Sequence, residues 1–152
     1  YYLKAFKEKE KSYPLNNYVI FKSIINFNST ENIEKDKAEM KEGIDKKKAI
    51  INSTSLNMDY WMTSDACGIK LADLFLNVKD AEDDNKWKDL LETYQLNRAK
   101  YGSIGKKKAE LYNLELIIDA LNSLNNSNSK ELPNKHAEIL RAKMLGLLDK
   151  LK

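Results

Sequence analysis

The feature that most constrains this chain is a pair of apolar stripes between Asn85 and Leu124. In the first stretch, apolar side chains recur every three or four residues, which places them on one face of a helix, as in Trp87, Leu90, Leu91, Tyr94 and Tyr101. The second stretch starts near Lys106 and repeats this spacing at Leu111, Leu114, Ile117, Ile118, Leu121 and Leu124, with Tyr112 and Leu116 widening its apolar face. Gly102 follows the first stripe directly, where a glycine can end a helix. Because the connection is short, the pattern predicts an antiparallel helical hairpin at about 85–124 whose stripes cover each other.

The rest of the chain also favours helices, so the predicted fold is all-α, an irregular bundle of about five to six helices around this hairpin. Only five glycines and two prolines interrupt the 152 residues. Further helices are expected at about 15–27, 31–51 and 64–78, and after Pro133. Tyr18 to Phe21 is the one ambiguous run, since its β-branched and aromatic residues would also suit a strand. The 31–51 helix has a thin stripe interrupted by lysines, which places it on the outside of the bundle or against another subunit.

Length and composition predict a single helical domain at 1–152. A chain of this size can bury roughly 70% of the surface that its unfolded form exposes. The polar run at 125–132 predicts a flexible linker before the C-terminal helix. Residues 1–12 suit the end of a helix that begins upstream, so the chain is expected to be a fragment or a processed part of a longer protein. Its apolar runs are far shorter than the roughly 20 residues needed to span a membrane.

The charge pattern argues against specific recognition of nucleic acids. The net charge is only +3, and of the 26 basic residues only Arg98 and Arg141 are arginines. Arginine supplies the planar fork that reads guanine and grips phosphate, and lysine lacks it.

The sequence contains no complete motif for a metal or a cofactor. The carboxylates of Asp80, Glu82 and Asp84 alternate like the first ligands of a calcium-binding EF-hand loop. However, Asn85 stands where the loop needs glycine, and Leu91 stands where it needs glutamate. The two glycines of the predicted hairpin turn are also too close together for a phosphate-binding Walker loop. No cofactor and no metal is therefore predicted, and the acidic turn at 80–84 is interpreted as a solvated helix start.

One enzymatic or ligand-binding alternative remains open. Cys67 and His136 are the only cysteine and histidine, so no intrachain disulfide can form. A small enzyme or ligand-binding bundle would need the fold to bring Cys67, His136 and the acidic turn together. Spacing in the sequence does not show whether it does.

The favoured prediction is a non-enzymatic interaction or scaffold module, a subunit or domain of a larger assembly. Its partners would be other protein chains, including copies of itself. Two surfaces are candidates for partner binding: the aromatic cluster of Tyr60, Trp61 and Met62, and the thin stripe around Met40 and Ile44. Tyrosine and tryptophan pack well at interfaces, where one end can stay hydrated.

Three glycosylation sequons begin at Asn28, Asn52 and Asn125, all in predicted loops. Their placement leans toward a secreted or exported compartment, whereas the lone cysteine fits a reducing compartment as well.

Overall fold

The apolar periodicities of the sequence form helices throughout the part of the chain that the structure describes. The computed structural model describes residues 12–29, 33–53, 60–125 and 135–152. These residues form seven helices and no strand, which confirms the all-α prediction. The helices are α1 (Ser12–Phe27), α2 (Glu34–Ser53), α3 (Tyr60–Leu76), α4 (Val78–Glu82), α5 (Asp84–Tyr101), α6 (Ile104–Asn125) and α7 (Lys135–Leu151). The predictions for residues 1–11, and for all of the linker but Asn125, lie outside the described residues.

The centre of the bundle is α3 rather than the predicted hairpin. This helix packs against α1, α2, α4 and α5, and its contact with α1 is the most extensive in the molecule. Its apolar residues surround much of its circumference, which is typical of a helix covered on several sides. The buried ones are Cys67, Ile69, Leu71, Ala72, Leu74 and Phe75.

The hairpin helices α5 and α6 form where the sequence predicts them, but they do not cover each other along their lengths. Among the described residues, α5 packs mainly on α3 and α7, and α6 packs on α7 and α1. The C-terminal helix α7 therefore contacts both stripes, because its own apolar face is wide, with Leu140, Met144, Leu147, Leu148 and Leu151 all buried. The predicted widening of the α6 face is also corrected, since Tyr112 and Leu116 are exposed.

Helix α2 lies on the outside of the bundle, as its thin stripe predicts, since Met40, Ile44 and Lys47 are its only buried residues among those described. Met40 and Ile44 are fully buried, and α2 packs against α3. A narrow stripe is sufficient here because the neighbouring helix is apolar on that side. At the edge of this contact, the ammonium of Lys48 lies 2.8 Å from the carboxylate of Asp73.

The helix boundaries around residue 60 also differ from the prediction. The α2 helix runs to Ser53, so Asn52 lies in a helix rather than in a loop, and α3 begins at Tyr60 rather than near 64. The acidic run at 80–84 contributes to the short helix α4 and to the start of α5. Asp83 separates the two helices, and its carboxylate accepts a hydrogen bond from the backbone N–H of Asn85 at 2.9 Å. This is an N-cap, which satisfies a free amide of the first turn.

Candidate functional site

The structure does not bring Cys67, His136 and the acidic turn together. Cys67 lies in the core, and burial raises the pKa of its thiol to about 12. His136 is also buried, and its Nε2 lies 3.3 Å from the carbonyl oxygen of Leu74. Leu74 follows Cys67 by seven residues on α3, which is about 10 Å along a helix axis. The thiol and the imidazole therefore occupy different levels of the bundle.

His136 also packs against an aromatic side chain. Its ring packs edge-on against Phe27, with the centroids 5.1 Å apart. Leu74 lies in the last turn of α3, where carbonyl groups lack helical partners, so the imidazole N–H supplies a donor there. Burial lowers the pKa of His136, with Lys37 acting in the same direction and the Leu74 carbonyl and Glu82 opposing it. The neutral ring is therefore the favoured form.

The acidic turn is spread along the surface. Asp84 is exposed and forms an ion pair with Lys143 of α7. Within the described ranges, no group of three or more His, Cys, Asp or Glu side chains is arranged to hold a metal ion. None of the helices described here is long and apolar enough to cross a membrane.

The predicted partner-binding residues fall in two different environments. Met40 and Ile44 lie in the core, where a partner cannot reach them without opening the bundle. The backbone of Tyr60, Trp61 and Met62 forms the first turn of α3, but their side chains lie outside the described residues.

Two of the three sequon asparagines are accessible. Asn28, just after α1, and Asn52 are exposed. The side chain of Asn125 lies outside the described residues.

An open apolar groove between α3 and α5, here called the α3–α5 groove, is the first candidate site. Its volume is about 510 Å³, and it is lined by Thr63, Ala66, Thr93, Leu96, Asn97, Ala99, Lys100 and Tyr101. Leu96 is 70% exposed, although it is a large apolar side chain. The groove begins directly after the predicted aromatic cluster, since Thr63 follows Met62.

Asn97 lies buried in this groove, with 3% of its surface exposed. Its side-chain oxygen accepts a hydrogen bond from the hydroxyl of Thr63. Its amide nitrogen Nδ2 is buried and has no acceptor. Asn97 is not among the apolar residues that predict the stripe, yet it follows Tyr94 by three residues and so continues the buried stripe. That spacing is the signal that would have found it.

A more enclosed pocket between α1, α3 and α6, here called the α1–α3–α6 pocket, is the second candidate site. Its volume is about 450 Å³, and its lining comprises Asn16, Asn17, Ile20, Ser64, Asp65, Gly68, Leu71, Tyr94, Ala109, Glu110 and Asn113. Asn16 is 4% exposed, and its oxygen Oδ1 has no hydrogen-bond donor. Sequence reasoning missed this pocket, because its polar residues come from three helices that are distant in the chain.

Glu110 of α6 supplies one of the two carboxylates among the described residues of the pocket lining, and Asp65 of α3 supplies the other. The Glu110 carboxylate is paired with Arg98 of α5 at 2.7 Å. Burial nevertheless raises the pKa of Glu110, and the neighbouring cations Arg98 and Lys107 only partly oppose this effect. The pocket lining therefore combines this partly desolvated carboxyl with the amide and hydroxyl groups of neighbouring polar side chains.

No family model, known protein or solved structure matches this chain. The function is therefore argued from the two sites themselves. Among the described residues, neither lining contains a cysteine or a histidine, and the groove is open enough for a segment of another chain.

Proposed function

We propose that this chain is a non-enzymatic interaction module whose helical bundle docks an amphipathic helix of another protein in the α3–α5 groove. The observation that carries the proposal is the buried amide nitrogen of Asn97, which has no acceptor within an apolar groove. An unsatisfied buried donor costs about 1–3 kcal/mol, and a polar oxygen of a docked chain would remove that cost.

The shape of the groove suits a helix better than an extended strand. Ala66 and Ala99 line it with small side chains, and Leu96 projects beside them. Small residues let two helices approach closely, while an exposed leucine supplies an apolar contact. The described residues form helices only, so no sheet edge is present among them to pair with a strand.

Charge adds a constraint on the partner. Lys100 is the only charged residue among the described residues that line the groove, and its ammonium lies 5.7 Å from the ring centroid of Tyr101. A partner helix with an apolar face and a carboxylate at its edge would complement this arrangement. Such a rim pair influences association rate and orientation more than affinity.

Photo-cross-linking at the groove tests this proposal. The photoreactive amino acid p-benzoylphenylalanine replaces Leu96 in the full chain, and in a matched control it replaces Tyr112, which is 63% exposed on α6. Both chains are irradiated in extract of the source cells, and the products are identified by mass spectrometry. We expect a defined protein to cross-link at position 96 but not at 112. Excess wild-type chain should compete for it, whereas excess Leu96→Glu chain should not.

Two results would overturn the proposal. One is equal cross-linking at both positions, or competition by the Leu96→Glu chain that matches the wild type. The other is a stable dimer in light scattering that dissociates on Leu96→Glu, which would assign the groove to a second copy of this chain. Trp61→Ala in the same assay tests the predicted aromatic cluster, and we expect it to weaken capture.

A further inference from the structure

The α1–α3–α6 pocket has the volume and the apolar lining of a small-molecule site. Its volume of about 450 Å³ lies within the range of roughly 300–1,000 Å³ that is typical of ligand pockets. Ile20 and Leu71 are buried side chains of its lining, and Tyr94 contributes an aromatic ring. The α3 residues that line it differ from those that line the α3–α5 groove, so the two sites use different faces of that helix.

The first indication of a ligand is the side chain of Asn16. Its Nδ2 lies 3.5 Å from the backbone carbonyl of Asp65, at the limit of a hydrogen bond. Its Oδ1 is buried and has no donor. Gly68 makes this position possible, because a Cβ atom there would lie 2.5 Å from the Asn16 amide nitrogen. A buried acceptor held in this way against a pocket calls for a ligand N–H or O–H group.

The second indication is the sign of the charge. Of the described residues that line the pocket, Asp65 and Glu110 are the charged ones, and both are acidic. Glu110 is 8% exposed at its side chain, and its ion-pair partner Arg98 does not line the pocket. Because burial still raises the pKa of Glu110, the Arg98 pair leaves the cost of burying this carboxylate incompletely offset. A cationic ligand would offset more of it, and an anion would meet two carboxylates.

We propose that the α1–α3–α6 pocket binds a small organic cation, with an ammonium or amidinium group facing Asn16 and the carboxylates and an apolar body on Ile20 and Leu71. This site is independent of the proposed docking groove.

Titration with three probes that share one phenyl-and-two-carbon frame tests the proposal. The probes are phenethylamine as the cation, 2-phenylethanol as a neutral donor and phenylacetate as the anion. Amide resonances of the ¹⁵N-labelled full chain are followed up to about 10 mM, the weak limit for ligands of this size. We expect saturable shifts at Asn16, Gly68 and Glu110 with phenethylamine, at least about tenfold weaker binding of the alcohol, and no binding of the acid.

Variants locate the site. Glu110→Gln and Asn16→Leu should each weaken phenethylamine binding by roughly tenfold or more, since a charge-assisted or buried hydrogen bond is lost. Glu115→Gln changes an exposed carboxylate on the same helix and should leave the affinity unchanged. Leu96→Glu in the groove should also leave it unchanged, which separates failure of this site from failure of the docking proposal.

The proposal is overturned if no probe gives a saturable shift, if the acid or alcohol binds as tightly as the amine, or if shifts lie away from the pocket. Unchanged affinity in a folded Glu110→Gln chain would also overturn it. Dispersion of the variant spectra shows that each chain is folded.

Discussion

Arg98 and Glu110 form a partly buried ion pair that joins α5 to α6 beside their turn. Both Nε and Nη2 of the guanidinium lie 2.7 Å from the same carboxylate oxygen, Oε1. The third nitrogen, Nη1, donates to the backbone carbonyl of Leu151 at the end of α7. One arginine therefore links three helices, two of which are not packed along their lengths.

Removal of this arginine should destabilise the bundle strongly. Arg98→Ala leaves the Glu110 carboxylate buried without its partner, and we expect the free energy of unfolding to fall by about 3 kcal/mol. Urea unfolding followed by circular dichroism measures the loss. Lys152→Ala serves as the control, since its ammonium lies 3.9 Å from Glu115 in an exposed pair worth less than about 1 kcal/mol. Equal effects of the two substitutions would contradict the assignment.

The decrease in the free energy of unfolding caused by Arg98→Ala should also depend on pH. The folded pKa of Glu110 is already raised above its ordinary value of 4.5, and loss of Arg98 removes an interaction that lowers it. A raised carboxyl pKa means that the folded state binds the proton more tightly than the unfolded state. The stability difference between the wild type and Arg98→Ala should therefore be complete above the folded pKa of Glu110 in the variant. It should shrink as the pH falls through that pKa toward 4.5. Comparison with Glu110→Gln across this range isolates the contribution of this carboxyl.

His136 should make stability fall in mild acid. Its folded pKa is lowered from 6.5, chiefly by burial, so the unfolded chain binds a proton more readily than the folded chain. Its contribution is complete above 6.5 and is lost as the pH falls below that value toward the folded pKa. Urea unfolding at about pH 7.5 and about pH 5.5 should show a smaller decrease for His136→Phe than for the wild type. Parallel decreases in the two chains would refute this expectation.

Cys67 should be inert in the native protein. Burial raises the pKa of its thiol to about 12, and the thiolate is the reactive form. At about pH 8, Ellman's reagent should not react with the folded chain on the timescale in which it titrates one thiol per chain in guanidinium chloride. Rapid reaction of the native chain would show that this part of α3 is accessible, and would reopen a chemical role for Cys67.

The spacing of apolar residues predicted the helices and their buried faces well, because side chains three or four residues apart lie on the same face of a helix. Trp87, Leu90 and Tyr94 were predicted as a core stripe and are buried. The same spacing includes Asn97, which is buried although its polarity leaves it out of the predicted apolar stripe. The spacing was a better guide than the residue type at this position.

The choice of neighbours could not be predicted from the same patterns. An apolar stripe indicates that a helix is covered, but any sufficiently wide apolar face can cover it. This is why α7, rather than α6, packs along much of α5, and why the thin stripe of Met40 and Ile44 is sufficient against α3. Adjacency in sequence favours a hairpin only when no better surface competes.

The α1–α3–α6 pocket could be predicted from the sequence even less than the choice of neighbouring helices, because it is assembled by tertiary structure. The α1 helix buries four polar residues, Asn16, Asn17, Ser23 and Asn26, that read as ordinary polar positions in the sequence. Their burial follows from the contacts of α1 with α2, α3, α6 and α7, which bring together residues far apart in the chain. The sequence contains the pocket residues but no local spacing that assembles them.

Two helical glycines should respond in opposite ways to alanine, and the difference tests the contact between α1 and α3. Gly146 of α7 has open space around it, so Gly146→Ala should raise the free energy of unfolding by about 0.5–1 kcal/mol through better helix propensity. At Gly68 the added methyl group would lie 2.5 Å from the Asn16 amide nitrogen, which must move. Gly68→Ala should therefore lose this gain or destabilise the chain, and should shift the Asn16 side-chain amide resonances. Equal stabilisation by both substitutions would mean that Asn16 does not pack against Gly68 as described.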